Sequence, residues 1–213
     1  MPLATLGAVE KRMSKADYTI KLITHSEAKP ILQAYHYLAT VSRGFKSGWN
    51  WGLFRGDQLL GVAIFTGLPV PEIAQGAFGL DRHDQEGLWE LSRLCLHPSV
   101  QGTEHNLAGW FLSRALKALR KATPTRAVLS YADGDHHNGV VYAATGWNYY
   151  GLTDSKKDFF YLLPDGSYKK HSRGPIKGMA GEWRERSRKH RFLKVFDPAL
   201  QVLWKQVSWN NGE

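Results

Sequence analysis

The sequence has a single cysteine, Cys95, among its 213 residues. One cysteine excludes an internal disulfide framework and a multi-cysteine zinc site, which favours an intracellular, reducing setting. The sequence also lacks the run of about 18 apolar residues that a membrane span needs, and residues 1–17 lack the apolar core of a secretion signal. We therefore expect a soluble, cytoplasmic protein with no membrane partner.

Acidic residues are fewer than basic ones, with 19 Asp+Glu against 28 Lys+Arg and a formal net charge of +9. From Lys169 to Lys194, ten basic residues accompany two acidic ones, a local charge of +8. Such a segment attracts phosphate backbones through counterion release, and interleaved aromatic residues such as Trp183 could stack on bases. We therefore expect contact with double-stranded DNA, with a solvated tail that has no partner as the alternative. The predicted contact residues are Lys169, Lys170, Arg173, Arg184, Arg186, Arg188, Lys189 and Arg191.

Apolar periodicity predicts alternating strands and helices. The predicted strands are 18–24, 49–55, 58–66, 88–96, 127–131, 147–152 and 158–163, and the predicted helices are 26–38 with Ser26 as N-cap, one beginning at Leu107, and 138–145. Residues 67–87 are rich in glycine and proline without periodicity, which is typical of a long ligand-contact loop. The expected organisation is a mobile leader (1–17), an α/β domain (18–166) and a basic C-terminal extension (167–213).

Residues 88–131 form a predicted strand–helix–strand unit between antiparallel hairpins. This element order resembles the GNAT, or acetyltransferase-like, fold, an α/β mixed sheet whose central parallel strands splay apart. The resemblance implies that the gap holds an acyl donor and an acceptor amine. It also implies a pyrophosphate loop before the main helix, for which Gln101, Gly102 and Asn106 are the candidate cofactor-binding residues. This loop has one glycine and an acid, Glu104, so either the donor differs from CoA or it is held differently.

Five short blocks follow one another in the order seen in a second family. They are His36-Tyr37, Glu90–Leu94, Trp110–Leu116, Ser130–Asp133 and Val141–Trp147. Together they resemble the Mom family, the DNA modification proteins first known from bacteriophage Mu, over about residues 35–163. The resemblance implies conversion of adenine to N6-carbamoylmethyladenine, which protects phage DNA from host restriction enzymes inside a cell that carries a phage or prophage.

Two charged residues are the main catalytic candidates. Arg93 lies on a predicted strand that is otherwise apolar, and a guanidinium there needs an anionic neighbour. Asp133 ends the neighbouring parallel strand, at the edge where such sheets bind ligands, and could act as general base towards the adenine amine. The alternative is a structural ion pair between the two strands, and the Mom resemblance favours the active site.

Further candidates carry less specific signals. His36 and Tyr37 could orient or stack on a flipped base, together with Trp49, Trp51 and Phe78, and Tyr142 could donate a proton; packing is the alternative for each. His136 and His137 could ligate a metal with Asp133 or His36, and the Mom resemblance adds a proposed iron requirement.

The donor and the assembly state stay open. A glycyl thioester, glycyl-tRNA with tRNA as a partner, or acetyl-CoA could each supply the transferred group, and a homodimer is compatible with the sequence. Two other functions compete with DNA modification: an ordinary N-acetyltransferase acting on a small amine or a protein lysine, and a non-catalytic basic DNA-binding protein. A methyltransferase is disfavoured because the chain lacks an Asp/Asn-Pro-Pro-aromatic tetrad.

Overall fold

The structure, a computed structural model, describes residues 14–38, 45–102, 104–171 and 174–210. In these ranges none of the helices combines the length and apolar character that crossing a membrane requires. The strands are β1 (Tyr18–Leu22), β2 (Trp49–Arg55), β3 (Gln58–Gly67), β4 (Leu88–Leu96), β5 (Ala127–Asp133), β6 (Asn148–Leu152), β7 (Lys157–Leu162), β8 (Tyr168–Lys170), β9 (Gly181–Glu185) and β10 (Lys189–Val195). The α-helices are α1 (His25–Tyr35), α2 (Glu72–Phe78), α3 (Leu107–Ala122) and α4 (Val140–Ala144).

The strands form a seven-stranded mixed sheet of order β1-β2-β3-β4-β5-β10-β6 and a three-stranded sheet of order β8-β7-β9. β4 and β5 are parallel, whereas β1–β2, β2–β3, β5–β10 and β10–β6 are antiparallel. The chain divides into two compact units, unit 1 (residues 1–66 and 92–123) and unit 2 (residues 67–91 and 124–213). The predicted mixed α/β fold class is confirmed.

In unit 1, the first helix begins earlier than the sequence predicted. Thr24, not Ser26, is the N-cap of α1: its side chain accepts a hydrogen bond from the Glu27 amide, and the Glu27 carboxylate accepts one from the Thr24 amide. This reciprocal capping box requires an acid three residues after the cap, which Thr24 has. Pro30 therefore lies inside the helix, beyond its first turn.

The described end of the predicted leader, residues 14–17, has regular structure. Lys15–Asp17 form a 3₁₀ turn capped by Ser14, so at least these residues have regular structure. Residues 1–13, the rest of the predicted leader, lie outside the described residues.

In unit 2, the segment predicted as an irregular loop contains α2. Ala74, Ala77 and Phe78 are buried in a core cluster that includes Leu88, Leu129 and Leu193. Gly79 ends the helix in the left-handed region, at φ 69°. The prediction was wrong here because a seven-residue helix between prolines and glycines is too short to show clear periodicity.

The predicted basic extension, residues 167–213, contains an interior strand of the large sheet. β10 pairs with β5 from Lys189↔Asp133 to Val195↔Ala127, and with β6 on its other side. His190, Phe192 and Leu193 are buried. Lys189, Arg191 and Lys194 interrupt the apolar residues and concealed this strand in the sequence. Because β10 belongs to the large sheet, the boundary predicted at residue 166 does not separate an appendage from the α/β fold.

The three-stranded sheet, also in unit 2, is exposed and rich in charge. Asp158 on β7 binds Lys170 on β8, with 2.5 Å between Nζ and Oδ2, and also binds Arg186 just after β9. The guanidinium of Arg184 lies 4.7 Å from the ring centres of both Phe160 and Tyr168. Ion pairs and cation–π contacts thus hold this small sheet together.

Candidate active site

The parallel ladder between β4 and β5 is short. It pairs Leu88–Glu90 with Ala127–Leu129 and extends no further along the two strands, both of which are fully described. At the next position the buried Ser130 hydroxyl donates to the Leu91 carbonyl at 3.0 Å. Three residues before β5 ends at Asp133, the two strands are therefore linked by a side-chain hydrogen bond and no longer by the backbone ladder.

Asp133 organises the loop that follows β5. Its Oδ1 accepts hydrogen bonds from the Asp135 amide at 3.3 Å and from the Ser187 hydroxyl. Its backbone carbonyl accepts from the amides of His136 and His137, each at 2.9 Å. The carboxylate is thus positioned both by its own loop and by the connection between β9 and β10, a structural role that accompanies any chemical one.

Two histidines of unit 2 lie around the loop that follows Asp133. His190 is 8% exposed, its Nδ1 is 2.9 Å from the Tyr149 hydroxyl, and burial lowers its pKa. Partial desolvation lowers the pKa of His137; the Asp133 charge opposes this, and His136 and His190 add to it. Both imidazoles are therefore mainly neutral at neutral pH and able to accept a proton.

Tyr149, Ser187 and His190 were not identified from the sequence as candidate residues of this site. The contacts Ser187–Asp133 and Tyr149–His190 depend on the pairing of β10 with β5 and β6, for which the sequence has no local signal. The metal site suggested for His136 and His137 is not supported: in the described ranges no three His, Cys, Asp or Glu side chains form a group that could hold a metal ion.

Aromatic packing surrounds the loop after Asp133. Tyr142 is 5% exposed, with its ring centre 5.3 Å from Trp147 and 5.1 Å from Phe192. Gly139 has φ 85°, and a Cβ at this position would lie 2.2 Å from the Phe192 ring. The burial of Tyr142 is accounted for by this packing, and its role as a proton donor stays a prediction.

The C-terminal segment, residues 196–210, forms hydrogen bonds with three parts of unit 2. The Leu203 amide donates to the Ala77 carbonyl at 2.8 Å, and the Val207 amide donates to the Tyr149 carbonyl at 3.0 Å. The indole of Trp209 donates to the Asn138 carbonyl at 3.2 Å. These bonds hold both the strand that carries Tyr149 and the loop that follows Asp133.

Phe78, one of the side chains predicted to hold a flipped base, is buried in the protein core. It is 8% exposed and belongs to the core of unit 2, so it is unsuited to contact a nucleotide. Trp49 and Trp51 are half-buried on β2 in unit 1, where their role stays a prediction.

The remaining catalytic candidates belong to unit 1. His36 follows α1, its Nδ1 accepts from the Leu38 amide at 3.2 Å, and its ring stacks on Tyr37 with 4.6 Å between centres. Arg93 is half-buried on β4, where its Nη1 donates to the Ser92 carbonyl at 2.6 Å. The pairing of Arg93 with Asp133, which belongs to unit 2, stays a prediction.

The predicted cofactor loop precedes α3 in unit 1. Gln101 donates to the Leu96 carbonyl at 2.7 Å, and Gly102 has φ 75°. Asn106, the N-cap of α3, has φ 57° and makes no side-chain capping bond. The Glu104 Oε1 is buried without a hydrogen-bond partner in the described part of the chain. Glu104 is half-buried and its carboxylate acts on the Tyr18 hydroxyl, whose pKa it helps to raise. An acid just before a helix start opposes an anionic ligand there, and the binding of CoA at this loop stays a prediction.

The predicted DNA-contact residues differ in their surroundings. Lys169, Lys170, Arg184, Arg186 and Arg188 are exposed, whereas Lys189 and Arg191 are half-buried. The Arg191 guanidinium lies 4.9 Å from the centre of the Trp204 ring and donates to the Leu152 carbonyl at 3.2 Å, contacts that stabilise the fold. Arg173 lies outside the described residues.

Comparisons with known proteins point to a family and a fold. A family model, Mom protein family, matches residues 17–204. Structures of similar fold include a polyamine N-acetyltransferase from Drosophila melanogaster (TM-score 0.51, 11% identity, 84% of this chain and 100% of that chain covered).

Two further structures have a TM-score of 0.50. One is the ribosomal-protein alanine N-acetyltransferase of Escherichia coli, at 13% identity with 88% of this chain and 99% of that chain covered. The other is a Salmonella typhimurium protein with its cofactor acetyl-CoA, at 10% identity with 86% and 96% covered. The predicted GNAT-like fold is thus confirmed. A comparison with curated proteins found no match.

Proposed function

The chain belongs to the Mom protein family, and we propose that it is a DNA-modifying transferase that converts adenine to N6-carbamoylmethyladenine in duplex DNA. In a phage or prophage, this modification would protect the DNA from host restriction enzymes. The family match over residues 17–204 is the observation that carries the proposal. The proton-accepting side chains at the end of β5 support it.

The reaction must overcome the low nucleophilicity of adenine N6, whose lone pair is delocalised into the ring. The base first leaves the duplex, at a cost of a few kcal/mol. The N6 lone pair then forms the bond to the donor carbon, and the leaving group departs with its bonding pair. The amine proton passes to a nearby base, for which we propose Asp133, at the end of β5, or the imidazole of His137, whose pKa is lowered by partial desolvation.

The donor is proposed to be derived from glycine. A glycyl group attached through its carbonyl and a carbamoylmethyl group attached through its methylene carbon are isomers, so an activated glycine, as a thioester or as glycyl-tRNA, contains the required atoms. N6 first displaces the thiol or the tRNA hydroxyl at the glycyl carbonyl carbon, and a rearrangement of this N6-glycyl product to its carbamoylmethyl isomer follows. The half-buried Glu104 carboxylate argues against CoA at the start of α3, and no step of this mechanism uses CoA. Iron likewise has no ligand group in the described ranges, and no step uses it.

DNA is proposed to bind the exposed three-stranded sheet. Lys169, Lys170 and Arg184 lie on β8 and β9, beside the exposed Tyr168. Lys177 is exposed in the connection between these strands. Because Asp158 and Glu182 already pair with Lys170 and Arg184, we expect Lys169 and Lys177 to contribute more to phosphate binding.

The DNA surface is tested by a double variant, Lys169→Ala with Lys177→Ala. We expect binding to weaken for all sequences and the slope of log affinity against log salt to fall by about 2, because each lost phosphate contact releases about one counterion fewer. As a control, Lys117→Ala on α3 removes one positive charge outside this surface and should leave the slope unchanged. An unchanged slope in the double variant would refute this surface.

The modification itself is tested by mass spectrometry of nucleosides from plasmid DNA of expressing cells. We expect deoxyadenosine heavier by one carbamoylmethyl unit. Asp133→Asn keeps the oxygen that accepts from Ser187 and Asp135 but removes the charge, so it should fold normally and yield little modified adenine. Only unmodified deoxyadenosine from cells that contain folded wild-type protein would overturn the proposal.

A further inference from the structure

Tyr149 and His190 form a buried hydrogen-bonded pair on adjacent strands of unit 2. Tyr149 lies on β6 and His190 on β10, with 2.9 Å between the hydroxyl and Nδ1. His190 is 8% exposed, whereas Tyr149 is half-buried. The pair therefore extends from the interior of the sheet towards solvent.

A β-bulge lies beside this pair of side chains. Phe192 is opposite Tyr149, but His190 is opposite Leu152 and not Gly151, so β6 contains one extra residue here. Gly151 has φ 75°, which suits the extra residue of a bulge. Bulges of this kind redirect side chains and are frequent next to active sites.

The inner end of the pair lies against the loop after Asp133. His190 Nε2 is 3.9 Å from the position that a Cβ on Gly134 would occupy. The register places His190 opposite Ala132, beside the pair Lys189↔Asp133. The charges of Arg188, in the β9–β10 connection, and of Arg191, on β10, act on Tyr149. His190 acts on His137 in the loop after β5, as do Asp133 and His136.

We propose that His190 and Tyr149 relay the proton lost by the acceptor amine from the Asp133 end of β5 to solvent, an inference that rests on the proposed function. Nε2 of neutral His190 accepts the proton through its lone pair, Nδ1–H donates its proton to the Tyr149 oxygen, and Tyr149 releases its hydroxyl proton to water. Return of the imidazole to its starting tautomer completes the cycle. No electrons are transferred and no co-reactant is consumed.

The charge states of both groups agree with this role. Burial lowers the pKa of His190, so its imidazole is neutral and able to accept at neutral pH. Burial raises the pKa of Tyr149, against the effect of the Arg188 and Arg191 charges, so its hydroxyl keeps its proton between turnovers. A relay needs this combination of a neutral acceptor and a protonated donor.

The test compares His190→Gln and Tyr149→Phe with wild type, using the modified fraction of adenine in plasmid DNA at equal amounts of folded protein. Glutamine retains polar groups that can hydrogen-bond with Tyr149 but cannot carry a proton through a ring, and phenylalanine removes only the hydroxyl. We expect each variant to lose at least tenfold of the modified fraction, since positioned proton transfer contributes about 10²–10⁴ in rate. The double variant should lose no more than the lower single variant, because both residues act in one path.

The outcomes separate the relay from a structural role and from the proposed function. His83→Gln, an exposed histidine of unit 2, is the control and should behave as wild type. A structural role predicts full modification by folded His190→Gln protein, and that result would overturn the relay. If His190→Gln fails to fold, full modification by Tyr149→Phe overturns it equally. Absence of modification in wild type would instead refute the proposed function.

Discussion

Replacement of Gly139 by alanine is expected to destabilise unit 2 by about 2–5 kcal/mol. An L-residue at the φ of 85° that Gly139 adopts costs roughly 1–2 kcal/mol. The new Cβ would also lie 2.2 Å from the Phe192 ring, and overpacking of a filled core costs typically about 1–3 kcal/mol. Phe192 is fully buried between Tyr142 and Tyr149, so its ring has little room to move.

Gly166→Ala is the matched control for the backbone contribution. Gly166 has a similar φ of 81°, but a Cβ there meets nothing within 4 Å, so only the roughly 1–2 kcal/mol of backbone strain is expected. The free energy of unfolding is measured by urea titration with tryptophan fluorescence. In Gly139→Ala protein, a second substitution, Phe192→Leu, should cost less than it does in wild type, because it relieves the contact. Equal losses for the two glycine variants would show that the ring contact is unimportant.

Three other outcomes follow from the structure. Arg186 and Lys170 lower the pKa of Asp158 from 3.8 to about 2, so the charge of Asp158 stabilises the three-stranded sheet above this pH range. NMR should show that the stabilisation is lost as the pH falls through this range. Asp158→Asn protein, which lacks the charge, should show no such loss. Burial raises the pKa of the Cys95 thiol to about 11, so iodoacetamide should react with it at mildly alkaline pH only when urea is present; rapid alkylation of the native protein would contradict its burial. Calorimetry with acetyl-CoA should detect no micromolar binding by wild type, and Glu104→Gln should bind more tightly; tight binding by wild type would favour an ordinary acetyltransferase.

Much of the large sheet was predictable because its strands and α3 have strong local signals. The apolar spacing of α3 from Leu107 to Leu119 and the apolar strand Leu88–Leu96 are patterns that packing against a core requires. Where the local signal was weak or misleading, prediction failed. The helix α2 is too short to show a period, and β10 carries cations between its buried residues.

In the candidate site, too, some residues could be predicted from the local sequence and others could not. The position of Asp133 was predictable because it ends a buried strand of a parallel pair. Ser187, Tyr149 and His190 were not, since 54 residues separate Asp133 from Ser187 and 41 separate Tyr149 from His190 along the chain. Only the pairing of β10 with two strands from earlier in the sequence brings these side chains together.

The late position of β10 in the chain also affects synthesis on the ribosome. β5 has four consecutive buried residues, Ala127 to Ser130, and its hydrogen-bonding edge is satisfied on one side by a strand that ends only at Val195. Until that residue has emerged from the exit tunnel, the nascent chain exposes an unpaired apolar strand edge. Slow translation through residues 134–188 should therefore increase chaperone demand and aggregation, and a premature stop codon in this region should yield insoluble protein.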